Sequence, residues 1–282
     1  MTDHREQTDF TAGGPPGLFE LLLESRALLE YGAGIAAMPL LPLAAKGDGH
    51  PVLVFPGMGA SDASTALLRR FLRGQDYMAH AWRLGRNLGP TPDVLWQSRA
   101  RIHALRCQHG RRVSLIGWSL GGMYARELAK AAPEDVRLVI TLGAPFAGHP
   151  RATNAWRLFE LLNGRHHHAR GHRDSIRQPP PVPTTSIYSR TDGIVAWQCS
   201  VEREGPLAEN IEVEASHTGM GVHPAVLYAI ADRLAQPEGE WRPFSRTGLR
   251  RLFYPDPHRP AHMLWHRAAP IAHARPAGGP GA

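Results

Sequence analysis

Ser119 stands in the string Gly117-Trp118-Ser119-Leu120-Gly121-Gly122, directly after the strand-forming run Val113-Ser114-Leu115-Ile116. A serine hydroxyl is hardly nucleophilic at neutral pH; it needs a base to take its proton, and the base needs an acid to orient it. Two later stretches offer those groups. Asp192 lies in Thr191-Asp192-Gly193 and His217 in Ser216-His217-Thr218-Gly219, each just beyond a run with strand character. Taken singly the signals are weak, since Asp-Gly is common in turns and the chain carries 16 histidines. Together and in this order they make Ser119, Asp192 and His217 the expected nucleophile, acid and base of acyl transfer. His223, at the start of a later helix, is the rival base, and Asp174, inside a basic segment, the rival acid.

Acyl transfer also builds negative charge on the carbonyl oxygen, which needs two aimed amide donors. The Leu120 amide, next after the nucleophile, is the expected first donor, and the Met58 amide in Gly57-Met58-Gly59 the second. The same two glycines equally suit a plain tight turn between strand and helix. A helix starting right after Ser119 would add its N-terminal amides and dipole in favour of negative charge there. The glycines two positions either side of Ser119 fit a strained strand-to-helix turn in which neighbouring side chains have no room. An ordinary turn of the same kind is the alternative for that string taken alone.

These residues need a scaffold that holds strand ends side by side. Pro51 to Pro56 reads as a buried strand, Ser64 to Arg73 as a helix, Tyr77 to Trp82 as a strand and Thr91 to Cys107 as a helix. Arg111 to Gly117 is the next strand, followed by a helix that Pro133 stops, and then by a strand over Val136 to Leu142. That alternation implies an α/β class with a parallel sheet. The rhythm breaks between Phe146 and Pro183, a small cap insertion over about residues 146–183. Within it, Asn154 to Leu162 reads as a helix with Trp156, Phe159 and Leu162 on one side, either as ordinary core or as the lining of an acyl pocket. Trp118, beside the nucleophile, is a further candidate for substrate contact. Strands resume at Thr184 to Ser189 and Ile211 to Glu214, and Pro224 to Leu234 is the last clear helix. Residues 1–16 read as disordered, residues 17–240 as the α/β domain, and residues 241–282 as a basic Pro/Arg/His-rich arm on which Leu252, Phe253, Tyr254, Leu264 and Trp265 are candidates to dock. Leu18 to Glu30 is amphipathic, with Leu18, Leu21, Leu22, Leu28 and Leu29 expected to pack on the body and a shallow membrane contact as the alternative.

The formal charge of +7 over 282 residues is unevenly spread. Residues 241–282 carry seven arginines against one aspartate, and residues 151–177 carry six against Glu160 and Asp174, so the remaining body is mildly acidic. With no aromatic interleaving, this is not the footprint of a nucleic-acid groove, and no nucleic-acid partner is expected. Cys107 and Cys199 lack metal-ligand spacing and read as reduced thiols. His166, His167, His168 and His172 have no carboxylate or cysteine at ligand spacing and read as a solvated loop; neither metal nor cofactor is expected. The first residues lack the features of a signal peptide. The uncharged run from Tyr31 to Ala45 is 15 residues with Pro39 and Pro42 inside it, short of a membrane span. A cytoplasmic protein, at most peripheral to a membrane, is the expectation.

Five motifs in order, Phe55-Pro56-Gly57-Met58-Gly59, Gly117 to Gly122, Thr141-Leu142-Gly143-Ala144-Pro145, Thr191-Asp192-Gly193-Ile194-Val195 and Ser216-His217-Thr218-Gly219-Met220, resemble those of the bacterial α/β-hydrolase lipases and esterases over about residues 50–235. The resemblance implies the α/β-hydrolase fold, a mostly parallel central sheet with helices on both faces. It also implies a Ser119, Asp192, His217 triad that cleaves carboxylic esters through an acyl-enzyme, with a small-molecule ester or lipid-like substrate. Pro56 departs from the pattern, standing where many lipases of this type have a histidine. Acyl transfer or thioester cleavage on the same triad, or a non-catalytic interaction module of this fold, are the alternatives. A serine at this turn argues against dehalogenase or epoxide hydrolase chemistry, which needs a carboxylate nucleophile. Acyl length, alcohol and oligomeric state are open at this level.

Overall fold

Apolar runs fold into the central parallel strands, which are buried on both faces. The computed structural model describes residues 14–37, 44–147, 152–154 and 176–260. Among these, six strands form one sheet: β1 (Pro51–Phe55), β2 (Met78–Ala81), β3 (Val113–Trp118), β4 (Val136–Leu142), β5 (Thr184–Tyr188) and β6 (Ala208–Glu212). Their spatial order is β2-β1-β3-β4-β5-β6 and every pairing is parallel. Helix α3 (Ala66–Gly74) links β1 to β2, α4 (Pro92–His109) links β2 to β3, α5 (Leu120–Ala131) links β3 to β4, and α6 (Pro224–Leu234) follows β6.

Because successive side chains on a strand point to opposite faces, the sheet builds two cores. Val52, Val54, Ile116 and Ile140 pack with Leu68, Phe71 and Leu72 of α3 and Val226, Leu227 and Ile230 of α6. Leu53, Phe55, Leu115 and Val139 pack with Ile102 and Leu105 of α4 and Tyr124, Ala125 and Leu128 of α5. Covering both faces is why β1, β3 and β4 read as near-continuous apolar runs.

The register aligns the strands' carboxyl ends. Phe55 is level with Gly117, Trp118 with Leu142, Leu142 with Ile187, and Tyr188 with Glu212. The residues that follow β1, β3, β5 and β6 therefore share one edge of the sheet. The strand order also reverses at β1, with β2 on one side and β3 on the other, and such a reversal opens a crevice at the carboxyl ends.

The segment before β1 departs from expectation. The amphipathic stretch is broken into α1 (Leu18–Leu23), a tight turn over Glu24–Arg26 and α2 (Ala27–Ala37). Its leucines face outward, with Leu18 81%, Leu22 73%, Leu28 81% and Leu29 76% exposed, while Glu30 is only 8% exposed. The polar side faces the body because it meets loops whose amides need acceptors. At Gly34, α2 comes so close to the start of α6 that a Cβ would collide with the Val222 carbonyl.

Beyond α6 the chain lies against the body as far as residue 260. Phe244 and Tyr254 are buried while Leu252 and Phe253 point outward, and the Tyr254 hydroxyl donates to the Ala225 carbonyl at 2.8 Å. Of the expected cap helix only Asn154 is described, in a turn; Trp156, Phe159, Leu162 and the histidine run at 166–172 lie outside the described residues. The same is true of residues 1–13 and 261–282.

Candidate active site

Strand β3 delivers Ser119 into α5 through a strained turn. Ser119 adopts φ +52° and ψ −121°, a conformation that costs a non-glycine residue about 1–3 kcal/mol and persists only where the surroundings impose it. The surroundings are backbone. The Ser119 amide donates to the Leu142 carbonyl at 2.8 Å, and the Gly122 amide to the Ser119 carbonyl at 2.9 Å. A Cβ at Gly117 would fall on the Gly121 carbonyl, and one at Gly121 would meet the Phe55 oxygen at 2.6 Å and the Pro56 oxygen at 2.7 Å. Glycines on both sides are thus what lets α5 start hard against β1 and β3. Ser119 is half-buried, whereas its neighbours Trp118 and Leu120 are buried.

The turns after β5 and β6 bring Asp192 and His217 together. Asp192 Oδ2 lies 2.6 Å from His217 Nδ1, and Asp192 Oδ1 accepts the Ile194 and Val195 amides at 2.9 and 2.8 Å. Facing a carboxylate, which accepts when ionised, a neutral imidazole carries its proton on Nδ1 and keeps the Nε2 lone pair for another donor. Burial alone would push the His217 pKa down; the Asp192 carboxylate, by charge and hydrogen bond, and the Glu24 carboxylate outweigh it, and the pKa is raised. Beneath the pair lies Gly143 at φ +53°, where a Cβ would stand 3.1 Å from both Asp192 Oδ2 and His217 Nδ1. Among the described residues the Ser119 hydroxyl makes no hydrogen bond to the imidazole, a contact that often closes only on a bound substrate.

The two amides expected as oxyanion donors flank the same spot. Leu120 is the first residue of α5, a position whose N–H has no partner within a helix. Met58 follows Gly57, at which a Cβ would sit 3.4 Å from the Ser119 Cβ. The Met58 amide takes no hydrogen bond among the described residues. Asn87, wholly buried, ties this turn down on every side. Its Nδ2 donates to the Pro56 carbonyl at 2.8 Å, its Oδ1 accepts the Tyr124 hydroxyl at 2.9 Å, its carbonyl accepts the Gly59 amide at 2.7 Å and its amide donates to Ala60 at 2.8 Å.

The other sequence candidates fall elsewhere. Trp118 turns its indole into the core and donates to the His217 carbonyl at 3.0 Å. His223 caps α6, accepting the Ala225 amide at 3.3 Å, and burial lowers its pKa. Asp174 lies outside the described residues. Burial pushes the Cys199 thiol up to about 11, leaving it inert, while Cys107 is exposed. Among the described residues no three His, Cys, Asp or Glu side chains gather as a metal site, and no helix is long and apolar enough to cross a membrane.

Sequence reasoning passed over Glu24, Glu30 and Asn87. The signal that points to them is an accounting one: amides in buried turns need acceptors, and the turns themselves offer few.

Compared with protein families and with curated sequences, the chain matches none. Among solved structures it is similar to Aspergillus fumigatus lipase B, at 17% identity and a TM-score of 0.51, over 67% of this chain and 53% of the lipase. It is similar to the same degree, 17% identity and a TM-score of 0.51, to a structure of the metagenome-derived lipolytic enzymes LipS and LipT, over 67% of this chain and 93% of the other. The chain spans about half the length of the Aspergillus lipase. At such identities the likeness establishes architecture: this chain has the α/β-hydrolase fold.

Proposed function

We propose that the protein is a serine hydrolase that cleaves carboxylic esters through an acyl-enzyme, with Ser119 as nucleophile, His217 as base and then acid, and Asp192 as the group that orients the imidazole. The observation that carries the reading is the Asp192–His217 pair at 2.6 Å on the same sheet edge as the strained Ser119 turn. Ser119 Oγ attacks the ester carbonyl as His217 Nε2 takes its proton. The Leu120 and Met58 amides receive the developing oxyanion, each such donor being worth about 3–4 kcal/mol of barrier. His217 then protonates the departing alkoxide, and water hydrolyses the acyl-serine by the same steps in reverse. The lipolytic enzymes of similar architecture are consistent with an ester or lipid-like substrate.

Covalent labelling by a fluorophosphonate, together with turnover of a graded ester panel, tests this. The wild-type chain is expected to label and turn over, and Ser119→Ala to do neither. Equal labelling of Ser119→Ala would remove Ser119 from the role. A fully folded wild type inert to probe and esters alike would favour a non-catalytic module.

A further inference from the structure

The α1–α2 segment packs its charges, not its leucines, against the protein, and those charges land on the turns that carry the acid and the base. Glu24 Oε1 accepts the amides of Gly193, at 2.9 Å, and of His217 itself, at 2.8 Å. Its Oε2 accepts the Thr218 amide at 3.0 Å and the Thr218 hydroxyl. Six residues on, Glu30 accepts the Ser216 amide at 2.9 Å and the Ser216 hydroxyl. Arg26, paired with Glu30 at 3.0 Å, donates to Thr191 Oγ1 at 2.6 Å. The residues on either side of Asp192 and the residues around His217 are thereby held from one element distant in sequence.

On the triad reading above, we propose that Glu24 is a positioning residue of the catalytic machinery: one carboxylate oxygen, shared by the amides of Gly193 and His217, fixes the acid turn against the base turn and sets a negative charge behind the imidazole. A carboxylate suits this task better than an amide because both its oxygens only accept, and here both face donors. Burial pushes the Glu24 carboxyl up, but the Thr218 hydroxyl and the amides of Gly193, Thr218 and His217 outweigh it, so the group is lowered and stays ionised at neutral pH. The charged groups facing His217 are Asp192 from the turn after β5 and Glu24 from this segment. Glu30 and Arg26 stand one contact further out, on Ser216 and Thr191, with His223 beyond them. From β4 and the turn after β6 the neighbours are neutral, Gly143 and Met220.

The test separates positioning from mere support. In a Ser119→Ala background, the full chain with isotope-labelled histidine is titrated by NMR, the His217 signal being the one lost in His217→Gln. Glu24→Gln keeps the shape and one acceptor but removes the charge, and is expected to lower the His217 pKa by roughly half a unit or more. With Ser119 restored, kcat on a soluble ester is expected to fall by about 10-fold in Glu24→Gln and about 100-fold in Glu24→Ala, with KM little changed, as displaced catalytic groups cost rate more than binding. Leu28→Gln, on the exposed side of the same segment, is expected to leave both readouts at wild-type values. An unchanged His217 titration in Glu24→Gln overturns the proposal, as does an equal shift in Leu28→Gln. If the wild-type chain turned over no ester, the hydrolase reading would fall, while the titration would still decide the role of Glu24.

Discussion

Gly121→Ala offers a direct test of the elbow, because one added methyl acts on both expected oxyanion donors at once. The new Cβ would stand 2.6 Å from the Phe55 oxygen, 2.7 Å from the Pro56 oxygen and 2.8 Å from the Phe55 carbonyl carbon, against ordinary contact from 3.4 Å. All three atoms are backbone, so no side chain can swing aside. The start of α5, which carries the Leu120 amide, and the end of β1, which leads to Met58, must separate by about 0.8 Å, the kind of forced backbone shift that costs about 1–3 kcal/mol. Against this, replacing glycine by alanine in a helix gains about 1 kcal/mol. Net stability should therefore drop only modestly, by about 0–2 kcal/mol. Rate should suffer far more, since donors displaced by most of an ångström lose their aim; a fall in kcat of about 10²-fold is expected, with KM nearly unchanged. The assay pairs kcat and KM on a soluble short ester with thermal denaturation and the rate of fluorophosphonate labelling. A variant that folds normally and keeps wild-type kcat would refute the argument that the abutment of α5 on β1 builds the oxyanion site.

Asp192→Asn should cut kcat by about 10⁴-fold through loss of the correct imidazole tautomer, read by steady-state kinetics on the purified chain; near wild-type turnover would show that another acid orients His217. Because His217 is raised and must be neutral to act, kcat/KM should fall on the acid side of an apparent pKa above the usual 6.5 or so. The same shift stabilises the fold when His217 is protonated, and that contribution is lost as pH rises through the folded value; denaturant titrations across that window check the sign. Removing residues 256–282 deletes Arg259, which pairs with the buried Glu212 and with Glu214 at 3.1 Å, and the Pro257 and Arg259 carbonyls that accept from Arg190 at 3.2 and 2.7 Å. A loss of about 2–4 kcal/mol in denaturant unfolding is expected, because ions are left buried with fewer partners, while turnover at low temperature stays within a few fold.

What was legible in the sequence is what continuous apolar runs and punctuation announce. Val136 to Leu142 and Pro224 to Leu234 are found with their expected bounds, the first because it is mostly apolar and buried on both faces and the second because a proline opens it. Ser119 could be placed for a related reason, since it stands directly after the run that forms β3; Asp192 and His217 follow runs with weaker strand character. Strand β6 was harder. It starts at Ala208 rather than Ile211, because Glu209, a poor strand residue by type, finds Thr185 and Arg233, each at 2.9 Å, and the Phe244 amide at 2.6 Å. Arg126 and Glu202 pair in full burial, with the Arg126 guanidinium 3.7 Å above the Phe146 ring. A sequence reads both as surface charges, since only tertiary partners mark the exceptions.

The orientation of α1 and α2 is the deepest of these misses, and the magnitudes show why a periodic pattern could not decide it. Turning Leu18, Leu22, Leu28 and Leu29 inward would bury four large side chains at about 1.5–3 kcal/mol each. The surface they would meet carries the amides of Gly193, Ser216, His217 and Thr218, and each donor covered by hydrocarbon without a partner costs about 1–3 kcal/mol. The two sums are of the same order, so apolar periodicity locates two faces without saying which one is covered. The match of donors to acceptors breaks the tie. Four amides and two hydroxyls on two turns find four carboxylate oxygens spaced along one short segment, and only the polar-inward orientation satisfies them. An amphipathic helix thus takes its orientation from the surface it lands on, and here that surface is the back of the turns that carry Asp192 and His217.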